Sequence, residues 1–368
     1  TLLEKYYDLQ FKDTIPNWMD GGEREAFFTS LKTPLPQTFR ISEAIEPSVH
    51  DQIRSRIENE FVPDIASVLI EEEVEDVNLA AAAASAESEK TDDATSATSA
   101  TTTAAVGQVE EEQGEEKSEK KQRIMTKITK KVDPPKPISW YPNNTGTETC
   151  TKFETRNSAW HFGVSKALLR KNTTLAKFRS FLMSQTERGN ISRQEEVSMI
   201  PPMFFFSGMT PEDRVLDMCA APGSKTAQLV EMLYASSRKY KRPISGYVVG
   251  NDNDVKRAYL LVHQMQRLSN IFPNVIITNH DATQYPLLKV NGQKQKFTKI
   301  LCDVMCTGDG TLRKSPDLWK RWKPNLAWAL HDLQIKCVTR AFEIIEVGGT
   351  IVYSTCSLNP IEDEAVVA

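Results

Sequence analysis

Two cysteines stand just beyond two strand-like runs: Cys306 in "KILCDVMCTGDG" and Cys356 in "IVYSTCSLNP". A cysteine inside a run of apolar residues is an ordinary small core side chain. One in a polar turn after a strand is placed to react, and two such turns suggest thiols acting in sequence. A thiolate can add to an electron-poor ring and make another ring atom nucleophilic, provided its surroundings favour loss of the thiol proton. Asp303, three residues before Cys306, is the nearest group able to assist. The other four cysteines read differently. Cys302 lies within the strand as core, Cys337 lies in a helix, and Cys219 is a packing residue beside a small-residue turn. Cys150 carries no reading. With no CxxC pair and five dispersed histidines, no metal site is expected.

A second cluster follows an earlier strand in "DMCAAPGSKT". Ala220, Ala221 and Gly223 leave room for backbone to approach a ligand, and Pro222 stiffens the turn before a helix. The pattern is neither GxGxxG nor GxxxxGK[ST], so the common phosphate-binding readings fail. Asp252 ends "GYVVGND" and is placed to bind a ribose diol, with capping of the next helix as the alternative. Asp281 ends "NVIITNHD". A small-residue turn and two acids on one rim fit an adenosine-containing ligand.

These groups need a scaffold that gathers strand ends. Five β-branched runs, "RVLDMC", "GYVVGND", "NVIITNHD", "TKILCDV" and "GTIVYSTC", alternate with helical segments. That alternation predicts an α/β fold with a parallel sheet covered on both faces and a ligand crevice at the carboxyl ends of its strands. The last helical segment, from "NLAW", has apolar residues at Leu326, Leu330, Leu333, Val338, Ala341 and Ile345 and should stop at Gly348-Gly349. Upstream, "PLPQTFRI" reads as a strand and "PSVHDQIRSRIENEF" as a helix with helical spacing at Val49, Ile53 and Ile57. "SKALLRKNTTLAKFRSFLMSQTERG" reads as one or two amphipathic helices. Their Arg170, Lys171, Lys177 and Arg179 form either a solvated face or a phosphate-contacting one.

The net charge of −4 is unevenly spread: 15 acids against 3 lysines between Glu71 and Lys120 give −12, leaving +8 on the remainder. The acidic stretch is low in large apolar groups and is expected to be disordered. The organisation predicted is an α+β region at 1–70, an acidic insert at 71–131, the rest of that region at 132–200, and a sheet domain at 201–368 that is truncated at its carboxyl end. No run of eighteen apolar residues suggests a membrane span. The chain starts at Thr1 and stops at Ala368 with a helix under way, which reads as a fragment. Oligomeric state is not legible.

In order, "DMCAAPGSKT", "NDNDVKR", "NHDA", "DVMCTGDGTLRK" and "YSTCSLNPIEDEA" resemble the Nol/Nop/Sun family of S-adenosylmethionine-dependent RNA cytosine-5 methyltransferases. "KYYDLQF" and "NISRQEEVSMIPP" point to its tRNA-methylating branch. The resemblance implies a Rossmann-like methyltransferase sheet with an N-terminal RNA-binding region, S-adenosylmethionine as cofactor, and tRNA or another structured RNA as partner. It also implies nuclear residence, with local support only from the basic stretch Lys120 to Lys131. Residue by residue, it implies that Cys219, Ala220, Ala221, Pro222, Gly223, Ser224 and Lys225 line the methionine part of the cofactor. Asp252 would hold the ribose and Asp281 would flank the adenine. Asp303 would serve cofactor and base, with Lys225 beside the chemistry. Cys356 matches the nucleophile and Cys306 the cysteine that assists release. The chemistry agrees: a thiolate at carbon 6 of cytosine makes carbon 5 nucleophilic, and a second thiol can help remove the carbon-5 proton.

One departure stands out. The family ordinarily has proline where this chain has Met305, so looser placement of Cys306 and Asp303 is expected, with an RNA-binding protein of weak catalysis as the alternative reading. "LRKSPDLWKRWKP" adds Arg313, Lys314, Lys320, Arg321, Lys323, Trp319 and Trp322. It reads either as packed tryptophans among solvated charges or as a wall of an RNA channel.

Overall fold

Residues before 213 build a small antiparallel sheet with helices around it. In the computed structural model, which describes residues 1–75, 125–141, 158–164, 168–268, 271–290 and 292–368, contacts define two units. One comprises 1–66 with 133–368 and the other 67–132. Cys150 lies outside the described residues.

In the larger unit, helix α1 (Leu2–Phe11) is opened by a capping box between Thr1 and Glu4. With α2 (Glu23–Lys32) it forms an apolar cluster around Tyr7, Trp18, Phe28 and Trp322. Trp322 is buried there, and Trp319 is half-buried beneath the Lys32 ammonium, 5.1 Å from its ring. Both tryptophans pack, as the first of the two readings has it. Strand β1 (Gln37–Ile41) lies between β3 (Ala159–Phe162) and β4 (Ile191–Arg193), with β2 (Lys136–Pro137) outside β3. Helix α3 (Pro47–Arg56) runs into one π turn, Ile57–Phe61, which keeps Ile57 and Phe61 buried. "SKALLRKNTTLAKFRSFLMSQTERG" contains two helices, because Asn172 caps the second. Its Oδ1 accepts from Thr174 N at 2.9 Å and starts α4 (Thr173–Glu187).

The five runs after 213 form the parallel sheet: β5 (Arg214–Asp217), β6 (Tyr247–Asn251), β7 (Val275–Thr278), β8 (Phe297–Asp303) and β9 (Ile345–Ser354), in the order β9-β8-β5-β6-β7. Alternate residues enter opposite cores, as the two-residue period of a strand requires. Val215, Val248 and Leu301 meet Leu229 and Leu233 of α5 (Ser224–Tyr240) and Leu261 of α6 (Val255–Arg267). Leu216, Val249 and Ile300 meet Cys337, Ala341 and Ile344 of α7 (Pro324–Ile344). Strand order reverses at β5, flanked by β6 and β8, so the ligand crevice of such a sheet opens beyond these ends.

Helix α7 corrects its predicted face. Its buried residues are Ala327, Gln334, Cys337, Val338, Ala341 and Ile344, while Leu326 is exposed and Leu330 and Leu333 are half-buried. The polar Gln334 hid the true stripe. The helix also ends at Ile344 and not at the glycines, because Ile345 turns extended and enters β9.

In the smaller unit, Leu69–Glu75 pairs antiparallel with Met125–Lys131, placing Glu73 opposite Lys127 in register. This corrects the expectation of disorder across 71–131 at both ends. "MTKITKK" carries the β-branched residues that suit extended chain, opposite an acidic run. Residues 76–124 lie outside the described residues. Among the described residues no helix is long and apolar enough to cross a membrane, and no group of three or more ligating side chains could hold a metal.

Candidate active site

The ends of β8 and β9 deliver the two thiols together. Cys306 Sγ and Cys356 Sγ are 3.1 Å apart, and Cys356 N donates to Cys306 Sγ at 3.3 Å. Pairing of Asp303 with Ser354 in adjacent parallel strands sends both turns out of the same edge. The loops can approach because of two glycines. Gly308 holds φ +71°, and a Cβ on Gly310 would stand 2.8 Å from the Cys356 carbonyl oxygen, to which Gly310 N donates. Cys356 is exposed and Cys306 half-buried. Donation from the Cys306 thiol lowers the Cys356 pKa, opposed by burial and Asp303 and aided by Lys225. The Cys306 pKa is raised by that same bond and by burial. Within the pair these directions favour ionisation of Cys356 over Cys306.

Asp303 is fixed from two sides. Its Oδ2 accepts from Lys225 Nζ at 2.7 Å and its Oδ1 from Ser354 Oγ at 2.8 Å. Lys225 reaches it from the first turn of α5, which follows the small-residue turn. Behind them Asp217 is fully buried. One of its oxygens accepts from Thr226 Oγ1 at 2.7 Å, the other has no partner, and burial pushes its carboxyl up to about 7.

A pocket of about 530 Å³ adjoins the thiols, inside the roughly 300–1,000 Å³ range of small-molecule sites. Cys219, Ala221, Asp252, Asp281, Asp303, Cys306 and Cys356 all line it. The remainder of the turn does not. Ala220 and Gly223 are buried behind it, Pro222 is exposed, and Lys225 turns to Asp303. Ser224 begins α5. Asp252 is buried. Its Oδ2 accepts from Ala221 N at 3.2 Å and its Oδ1 from Asp254 N at 3.0 Å. It is not the helix cap: Asp254 caps α6, accepting from Arg257 N. Asp281 is exposed and caps the short turn Ala282–Gln284, accepting from Thr283 N at 2.9 Å.

Several residues escaped the sequence reading. Arg257 donates to the Ala221 carbonyl at 2.7 Å and stands 3.5 Å from Asp252, bracing the turn. Cys337 lines the pocket and accepts from Cys219, whose own pKa that bond and burial raise. Two fully buried carboxylates, Asp309 and Glu362, tie the thiol loops together. Asp309 accepts from Tyr7 Oη of α1, from Ser357 Oγ at 2.8 Å and from Leu358 N at 2.8 Å. Asp309 and Glu362 lie inside the two cysteine motifs, but nothing in the pattern distinguishes them from surface acids.

Residues 207–368 match the sequence profile of the 16S rRNA methyltransferase RsmB/F family. That match spans all five strand-end motifs. Among curated relatives, the tRNA (cytosine(34)-C(5))-methyltransferase of Drosophila melanogaster is 47% identical over 245 residues, 65% of this chain and 30% of that protein. The multisite-specific tRNA:(cytosine-C(5))-methyltransferase of Saccharomyces cerevisiae is 43% identical over 245 residues, 65% of this chain and 33% of that protein. The chain thus spans about a third of the length of these relatives. In fold it is similar to the crystal structure of NSun6 from Pyrococcus horikoshii with SFG, at TM-score 0.51 and 16% identity, covering 100% of this chain and 85% of that one.

Proposed function

We propose that this chain transfers a methyl group from S-adenosylmethionine to carbon 5 of cytosine in tRNA, through a bond between Cys356 and carbon 6. The observation that carries this is the pair of thiols 3.1 Å apart at the mouth of the pocket, with Cys356 the exposed member.

The pocket's chemistry suits the donor. Asp252, Asp281 and Asp303 supply acceptors and negative charge around the apolar Ala221, Ala282 and Val304. S-adenosylmethionine offers a diol, an amino group, an ammonium and a sulfonium to match. When bound, it supplies an electrophilic methyl group. Asp252 keeps lone pairs beyond its two backbone bonds and would hold the ribose diol, Asp281 would flank the adenine, and Cys219 and Ala221 would line the methionine part.

Cys356 donates an electron pair to carbon 6, and the carbon 5–carbon 6 π pair moves to carbon 5, which then takes the methyl group. Asp303, held by Lys225 and Ser354, accepts from the exocyclic amine and keeps the ring in place. Cys306, once its own proton has passed to solvent, takes the carbon-5 proton directly or through water. The released pair restores the double bond, and the carbon–sulfur bond breaks with its electrons returning to Cys356. The ring must be unstacked for this attack, which suits a looped RNA. A separate pocket of about 240 Å³ in the N-terminal region supplies a phosphate contact. Arg170, Arg179 and Arg193 line it, and no acid does.

Labelled donor and tRNA, incubated with wild type, Cys356→Ala and Cys306→Ala, test the reading. Methylation is lost in the first variant, and a covalent RNA adduct accumulates in the second. Methylation surviving in Cys356→Ala overturns it.

A further inference from the structure

The two thiols sit on loops after different strands, and their separation has to be set by something other than the sheet. Thr307 follows Cys306 and Ser357 follows Cys356. Both hydroxyls reach one oxygen of Glu362: Thr307 Oγ1 lies 2.5 Å and Ser357 Oγ 2.7 Å from Oε2. The other oxygen accepts from Thr307 N at 2.9 Å and from Gln334 Nε2 at 3.1 Å. Gln334 Nε2 also donates to the Met305 carbonyl at 2.9 Å. Glu362 and Gln334 are both fully buried. One carboxylate thus holds the residue after each cysteine, and its amide neighbour holds the residue before Cys306.

We propose that Glu362 is the positioning residue that sets the spacing of Cys306 and Cys356, and with it the product-release half of the reaction. The kinetic part rests on the function proposed above; the geometric part does not. Four donors converge on two oxygens, which matches the roughly four lone-pair sites of an ionised carboxylate. No neutral side chain of that shape serves all four. Glutamine places an NH2 group where either the two hydroxyls or the Thr307 and Gln334 N–H groups need an acceptor. Ser357 narrows the choice further. Its oxygen accepts from Asn359 N at 3.0 Å, and its single proton lies between Glu362 and Asp309 Oδ1 at 2.8 Å. Loss of the Glu362 acceptor therefore lets Ser357 turn wholly to Asp309, and the Cys356 loop follows it away from Thr307.

The test uses the whole chain without cofactor, then with tRNA and donor. A bis-alkylating bimane, fluorescent only when it bridges neighbouring thiols, is timed on wild type, Glu362→Gln, Thr307→Val and Thr307→Ser. Mass mapping identifies the Cys306–Cys356 bridge. Bridging is expected to slow at least tenfold in Glu362→Gln and Thr307→Val, and to return with the hydroxyl in Thr307→Ser. With RNA, Glu362→Gln should form the Cys356 adduct at near the wild-type rate but turn over at least tenfold more slowly, so that adduct accumulates. Bridging at the wild-type rate in a folded Glu362→Gln overturns the inference. So does an equal loss of adduct formation and turnover, which is what general loosening produces. Where Glu362→Gln fails to fold, Thr307→Val decides. Should wild type form no adduct with RNA, the proposed function falls and bridging alone judges Glu362.

Discussion

Tyr7→Phe removes one hydroxyl from a buried carboxylate and leaves a ring in place. Tyr7 is fully buried, stacked near Phe11 and Trp322 at centroid distances of 5.5 and 6.2 Å, so Phe keeps the packing. Burial, then Asp309, raises the phenol's pKa, so it acts as a donor throughout the working pH range. After the change Asp309 retains Leu358 N and a share of the Ser357 proton, both at 2.8 Å. A hydrogen bond to a charged group is worth about 1.5–3 kcal/mol, and the missing oxygen leaves too little space for much cavity cost. The expected loss is about 2 kcal/mol. With a urea slope of about 2–3 kcal/mol/M, the midpoint should fall by about 0.7–1 M at unchanged slope. A cycle with Asp309→Asn assigns the loss to this hydrogen bond, with a coupling of about 1 kcal/mol or more. A loss below about 0.5 kcal/mol, or an additive cycle, refutes the view that α1 braces the Cys356 loop through Asp309.

Asp217 gives a pH signature. Its carboxyl is pushed up to about 7 by burial, so the folded chain keeps a proton that the unfolded chain has lost. That contribution is full below about pH 4 and disappears as pH rises through about 7. Relative to Asp217→Asn, wild type should lose about 2–3 kcal/mol between pH 5 and pH 8 in denaturant unfolding; equal slopes refute this. Glu231→Ala strands Arg40, which is fully buried and also bonds Gln194 Oε1 at 3.0 Å, and should cost about 3–5 kcal/mol by thermal or urea unfolding. Arg179→Gln with Arg193→Gln should weaken tRNA binding and lower the log–log salt slope by about 1 for each phosphate no longer neutralised, read by fluorescence anisotropy.

The strands of the parallel sheet were legible because each β-branched run ends in a polar turn, and those turns carry the thiols and acids that meet at one edge. Residues buried against type were not legible. Gln334 interrupts the apolar stripe of α7, so a face counted by hydrophobicity alone rotated away from the true one and took in the exposed Leu326. Glu362 and Asp309 look like surface acids in the sequence. Only the fold brings Thr307, Ser357 and Tyr7 to them. The acidic stretch misled at its borders for a related reason: a strand there is set by its partner about 50 residues away in the chain, and local composition does not record the pairing.

The same non-local interactions bear on Met305. A proline at this position would restrict the loop locally, through its own φ and the residue before it. Here the restraint is tertiary. Gln334 holds the Met305 carbonyl, Glu362 holds Thr307 at two atoms, and Gly310 N donates to the Cys356 carbonyl at 3.0 Å. The Met305 side chain packs against the core shared with Cys337 and Ile344. Four hydrogen bonds thus span the loop that proline would have stiffened at one residue. Their partners lie on α7, in the turn carrying Glu362 and in the Cys356 loop, so the placement of Cys306 depends on those elements remaining docked. Loosening α7 at Gln334 should therefore disturb the thiol pair more than restoring a proline would steady it.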